Sequence, residues 1–137
     1  MKIKRVQDDI ISEMERLEDW LDKYDYIIKQ GSLMPEMPDE LKTEEKMIKG
    51  CQSGIWMDVQ MREGVLKLSG DSDAKITKGM LALVIRILDS SPPRDIAEAD
   101  LYFAEKTGLS AGLSPARSDG LQSVIKHIRN IAREYTG

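Results

Sequence analysis

Residues 49–56 read Lys-Gly-Cys-Gln-Ser-Gly-Ile-Trp, and Cys51 is the only cysteine among 137 residues. A thiolate attacks other sulfur atoms, carries a persulfide or binds a soft metal. The same side chain, protonated and enclosed, is a small hydrophobe. Cys51 lies outside any apolar stripe, between Gly50 and the polar pair Gln52-Ser53, just ahead of an alternating run. Loops carried by a rigid scaffold are where reactive groups concentrate, and the flanking Gly50 and Gly54 accept backbone angles that other residues resist. Residue types alone leave both readings of Cys51 open.

Other candidates for chemistry are few. His127 is the only histidine; it adjoins the apolar stripe of the last helical stretch, and nothing local marks it as a base for a thiol nucleophile. A structural zinc site takes four Cys or His ligands, and the chain has two such residues in all. A cluster scaffold built from several thiolates is excluded for a monomer on the same count. No glycine-rich phosphate loop of the P-loop or dinucleotide-binding pattern occurs. Asp71 and Asp73 have the types of an acid–base pair, but they flank a helix start and read first as caps. Arg117 falls near the start of the last helix, where the helix dipole does not favour a cation; an ion pair with a loop acid or a partner contact would each explain it.

The elements that must position these residues are legible from periodicity. Val6, Ile10, Met14, Leu17, Leu21 and Tyr24 form a stripe at helical spacing and predict one helix over 6–29, with Gly31 just past its end. Residues 32–45, with two prolines and many acids, read as a loop. From 55 to 62, Ile55, Met57, Val59 and Met61 alternate with Trp56, Asp58, Gln60 and Arg62. Glu63-Gly64 then reads as a two-residue turn, which places Arg62 opposite Val65, Met61 opposite Leu66 and Val59 opposite Leu68. Residues 46–49 are a candidate third strand, and a helix, with the one bearing Trp20 as the candidate, is expected to cover Trp56. Ile76, Met80, Leu83, Val84, Ile87 and Leu88 predict a helix in which Gly79 implies a close backbone approach. A short helix follows Pro92-Pro93, and Ser114-Pro115 opens the last one. The order predicts an α+β fold: a small antiparallel sheet of about three strands with helices packed on it, as a single domain over 1–137.

Composition bounds the partners. A net charge of −4 and 5% aromatic residues argue against a phosphate-tracking or base-stacking surface, so no nucleic acid is expected. The N-terminal stretch lacks the apolar core of a signal peptide, and no window reaches the roughly 20 apolar residues of a membrane span. A cytoplasmic protein that does not engage membranes is the expectation, and a single cysteine fits a reducing compartment.

Three stretches, Gly-Cys-Gln-Ser-Gly-Ile-Trp at 50–56, Gly-Asp-Ser-Asp-Ala-Lys-Ile-Thr-Lys-Gly-Met-Leu-Ala-Leu at 70–83 and Leu-Ser-Pro-Ala-Arg-Ser-Asp-Gly-Leu at 113–121, together with the end of the first helical stretch at 24–31, resemble the SufE/CsdE-type sulfur acceptors that work with cysteine desulfurases. The similarity runs in order along nearly the whole chain. Ala116 and Asp119 depart from the Ser and Asn of the family pattern, and Lys46 stands where Asn is frequent. The resemblance implies a fold related to the cluster scaffold IscU, with Cys51 taking sulfane sulfur from a desulfurase of the SufS/CsdA type and passing it to the iron–sulfur cluster assembly machinery. It implies no cofactor of the chain's own, since pyridoxal phosphate would belong to the desulfurase. It implies a stoichiometric carrier and activator rather than an enzyme, with Gly50, Gln52, Ser53 and Gly54 supporting the loop, and Asp73 and Arg117 supporting the loop or the docking face. A cysteine that is sheltered at rest and then extruded would make Gly50 and Gly54 hinges. Two alternatives from other classes are a regulatory binding module in which Cys51 is inert, and a self-sufficient thiol enzyme such as a peroxidase.

Overall fold

Pairing begins where the alternation is strongest. In the computed structural model, which describes residues 2–48 and 54–136, β1 (Ile55–Arg62) and β2 (Val65–Ser72) form an antiparallel hairpin. The register pairs Arg62 with Val65, Met61 with Leu66 and Val59 with Leu68, as the alternation requires. Both turn residues take positive φ, 51° at Glu63 and 84° at Gly64. This is the mirror-image turn whose twist matches that of the strands. The third strand is reduced to single bridges, one on each edge: Met47 with Trp56 and Leu66 with Ser91. The backbone at 46–48 does approach β1, but only one residue pair long. Lys49, at the end of that expected strand, lies outside the described residues.

One face of the hairpin carries Ile55, Met57, Leu66 and Leu68, all buried, beneath α3 (Lys75–Leu88). Ten of the fourteen residues of α3 are buried, so it is the central helix rather than a surface one. It meets β2 at Gly70, where a side chain would fall 2.9 Å from Leu81 and 3.3 Å from Ile85. Gly79 is where α2 (Trp20–Leu33) crosses α3. A Cβ there would overlap the carbonyl of Ile27, so the close approach expected of this glycine is present. Gly31 is the other side of the same crossing: a Cβ on it would lie 2.9 Å from the Gly79 backbone nitrogen. It sits inside α2 and does not end it.

The expected helix over 6–29 is two helices, α1 (Lys2–Glu15) and α2. The break has a local cause. Leu17 N–H closes onto the Met14 carbonyl at 3.0 Å, and the extended Asp19 accepts from the Asp22 N–H at 2.9 Å, capping a new start. The turn rotates Leu21 out to 70% exposure, so it leaves the stripe. Across the first three helices, Arg86 donates to Glu13 at 2.7 Å and Tyr26 donates to the same carboxylate at 2.9 Å. The Arg86 guanidinium holds the Glu13 carboxyl below its usual value, and burial beside Glu13 pushes the Tyr26 hydroxyl up to about 12.

The C-terminal half wraps this centre. α4 (Pro93–Glu98), α5 (Phe103–Lys106) and α6 (Leu109–Gly112) are short, and α7 (Pro115–Thr136) is the longest helix. The first turn of α5 is satisfied by α1: buried Gln7 accepts from the N–H groups of Tyr102 and Phe103 at 2.9 and 3.2 Å and donates to the Asp100 carbonyl at 3.0 Å. Ser114 accepts from the Arg117 N–H at 3.4 Å, with Pro115 first in α7. A single cluster of buried side chains, including Ile10, Ile27, Ile55, Leu66, Phe103 and Ile128, unites these elements. No described helix is long and apolar enough to cross a membrane. The architecture is α+β with a two-stranded sheet.

Candidate functional site

Cys51, Gly50, Gln52 and Ser53 lie outside the described residues, and the residues on either side of that segment are tightly held. On the incoming side, Ile48 N–H donates to the Ile55 carbonyl at 2.8 Å, beside the Met47–Trp56 bridge, and Ile48 is buried. On the outgoing side, Gly54 makes three hydrogen bonds. Its N–H donates to Asp73 Oδ1 at 3.0 Å, and its carbonyl accepts from Ser72 Oγ at 2.7 Å and from the Asp73 N–H at 3.2 Å. A Cβ on Gly54 would lie 2.7 Å from Asp73 Oδ2 and 2.8 Å from the tip of the Trp56 indole. Gly54 is thus enclosed between Asp73 and Trp56.

Asp71 and Asp73 do not cap α3. The residue before that helix, Ala74, has no side-chain cap. Asp73 holds the Gly54 N–H instead. Asp71, 4% exposed, is an ion-pair centre: Lys42 Nζ lies 3.2 Å and Lys78 Nζ 3.3 Å from its oxygens. Burial works against its charged form, yet the Ser72 N–H and the two lysines together hold its carboxyl below the usual value. Lys42 also stands 5.9 Å above the Trp56 ring, at the outer limit of a cation–π contact. Trp56 is half-buried, with this lysine over its ring. Trp20 packs on Gly112 and stacks at a tilt on Tyr24, 5.7 Å between centroids.

Four residues along the same arm, Lys46 Nζ meets Asp58 Oδ1 at 2.6 Å. The lysine holds the Asp58 carboxyl below its usual value. Nothing in the sequence pattern marks this pair or the Lys42–Asp71–Lys78 triad. The alternation places Asp58 on the polar face of β1, but a partner twelve residues away in a loop leaves no periodic signal.

Arg117 is exposed on the first turn of α7. Among the described residues its side chain makes no hydrogen bond or ion pair, to Asp73 or to any other acid. The expected ion pair with a loop acid is not found there, and an exposed cation is left on the surface. His127 lies one residue before the buried Ile128 and lines a groove of about 620 Å³. Lys126, His127 and Asn130 of α7 form one wall; Glu44, Glu45 and Ile48 are on the other. The histidine thus faces the arm that leads to Cys51. Burial lowers its pKa below the ordinary 6.5. The fold therefore favours neutral His127, so its contribution is full above about pH 6.5 and is lost as pH falls through the lower folded value. Thermal melts from pH 7.5 to 5 should show a falling midpoint, and His127→Gln should flatten that fall; an identical slope in the variant would assign it to other groups.

Two comparisons relate this chain to known proteins. The model of a family described as SufE, Fe-S metabolism associated domain, matches residues 8–132. A solved structure described as the solution structure of a hypothetical protein from Thermus thermophilus superposes with a TM-score of 0.76 at 18% identity, over 99% of this chain and 97% of that one. At that identity the second match speaks for the fold alone.

Proposed function

Because the chain belongs to the SufE family and so to iron–sulfur metabolism, we propose that Cys51 is the sulfur acceptor for a pyridoxal-phosphate-dependent cysteine desulfurase. The Cys51 thiolate attacks the terminal sulfur of the desulfurase persulfide. A new S–S bond forms at Cys51, the old one breaks, and the partner's cysteine leaves as thiolate, so no external oxidant or reductant is needed. The Cys51 persulfide then yields its sulfur to the cluster-assembly scaffold by the same exchange. Clearing the partner's cysteine frees it for another turnover, so the protein activates the desulfurase while acting as a stoichiometric carrier. It has no cofactor of its own in this scheme, and works in the reducing cytoplasm.

The observation that supports this reading best is the anchoring of a five-residue segment containing the only thiol. Ile48 and Gly54 are hydrogen-bonded on either side of it. Asp73 serves the loop end, and the exposed Arg117 is available to a docking partner. The test is the intact mass after incubation with a desulfurase, pyridoxal phosphate and L-cysteine. It should rise by one sulfur atom and return on reduction. No rise with an active, compatible desulfurase rejects the assignment.

A further inference from the structure

Between Pro38 and Ile48 the chain has only two short 3-10 turns, Asp39–Leu41 and Glu44–Lys46. This arm delivers the chain to the thiol segment, and it has little regular structure to hold it. Two of its lysines tie it to the hairpin by ion pairs. Lys42 reaches Asp71 on β2 and Lys46 reaches Asp58 on β1, so both strands of the hairpin are engaged through their outer face. The Lys46–Asp58 pair is the shorter, and its side chains are only 30% and 14% exposed. Asp58 is fixed from behind: Gln60 donates to its second oxygen at 2.9 Å, and Arg62 donates to Gln60 at 2.7 Å. A carboxylate so oriented and so covered demands a cation in one place. The backbone bridge at Met47 and the Ile48 hydrogen bond come in the next two residues.

We propose that Lys46 and Asp58 are positioning residues for Cys51, clamping the incoming arm to β1 so that the thiol is presented from a fixed base five residues further on. The clamp narrows the set of positions from which the thiol reacts. It holds a larger fraction of molecules in the arrangement a sulfur donor can dock. The inference rests on the reading of Cys51 as sulfur acceptor for its docking readout, but not for its thiol readout.

The test uses the full chain. In Lys46→Met, the rate of Cys51 alkylation by iodoacetamide at fixed pH should rise about threefold or more, because the released arm gives the thiol more reactive positions. The concentration giving half-maximal desulfurase stimulation should also rise about threefold or more, as the docking-competent fraction falls, while the maximal rate changes less. Lys46→Arg, and the exchange of charges in Lys46→Asp with Asp58→Lys, should restore both readouts most of the way. If Lys46→Met does not fold, the isosteric Asp58→Asn carries the same measurements. Unchanged alkylation and unchanged half-saturation in a folded variant overturn the proposal, as does loss of thermal stability with neither readout moved. If the unmodified protein takes no sulfur at all, the proposed function fails, and the alkylation rates alone decide the clamp.

Discussion

Cys51→Ser should fold as the parent does and take up no sulfur. The change replaces one small side chain by another of nearly the same size, so the stability difference should stay within about 1 kcal/mol. The chemistry changes completely. A serine hydroxyl is not ionised at neutral pH and is a poor nucleophile toward sulfur, whereas the thiolate is the attacking species in sulfur exchange. With no second thiol in the chain, no other residue can substitute. Incubation with desulfurase and cysteine should leave the mass unchanged and bring stimulation down to the desulfurase's own rate. Stimulation that survives in the variant would mean the protein acts by contact alone, as a regulatory module with an inert cysteine.

The largest structural effect should come from a single methyl group. Gly79→Ala would drive a Cβ into the Ile27 carbonyl and side chain at the α2–α3 crossing. The obstacle is helix backbone, which cannot step aside as a side-chain tip does. Overpacking of this kind costs about 3 kcal/mol, or a fall of about 10 °C in the thermal midpoint for a domain of this size. Gly64→Ala is the informative contrast. Nothing lies within 4 Å of a Cβ at Gly64, and its φ of +84° is the only obstacle, worth about 1 to 2 kcal/mol. Melting curves for both variants would separate crowding from backbone strain. A shift for Gly79→Ala no larger than that for Gly64→Ala would mean the two helices do not cross this closely.

The contrast also shows which features could be read ahead of the structure. Gly79 was legible because glycine within a strong helical stripe needs a reason, and close approach is the usual one. The hairpin was legible because its alternation, turn and register each constrain the others. The helix break at 16–19 was missed because the apolar spacing continues through it, although Asp19 with Asp22 three residues on carried a capping signal. The role of Gly31 is illegible for another reason: it is set by Gly79, nearly fifty residues away. Asp71 and Asp73 illustrate the limit for the site. Their position before α3 suggested caps, while the lysines and the Gly54 amide that engage them come from other parts of the chain. Long-range ion pairs have no period, so Lys42, Lys46 and Asp58 could not be picked from the other charged residues.

The two held residues, Ile48 and Gly54, have a consequence for the proposed sulfur transfer. Cys51 is three residues from each, and an extended chain spans at most about 3.3–3.6 Å per residue. Its Cα is therefore confined within about 10 Å of both, to the overlap of two spheres centred at one end of the hairpin. The thiol is on a short leash. In the proposed transfer it could not search a deep or distant donor site as a long flexible arm would, so a donor would have to be carried to it by surface docking. In return, a partner docked as proposed would meet the thiol at high effective concentration, because so short a tether spans little volume. Lengthening the leash by inserted glycines should thus trade local concentration for reach, and the length that transfers sulfur fastest would measure the distance between the two cysteines in the docked pair.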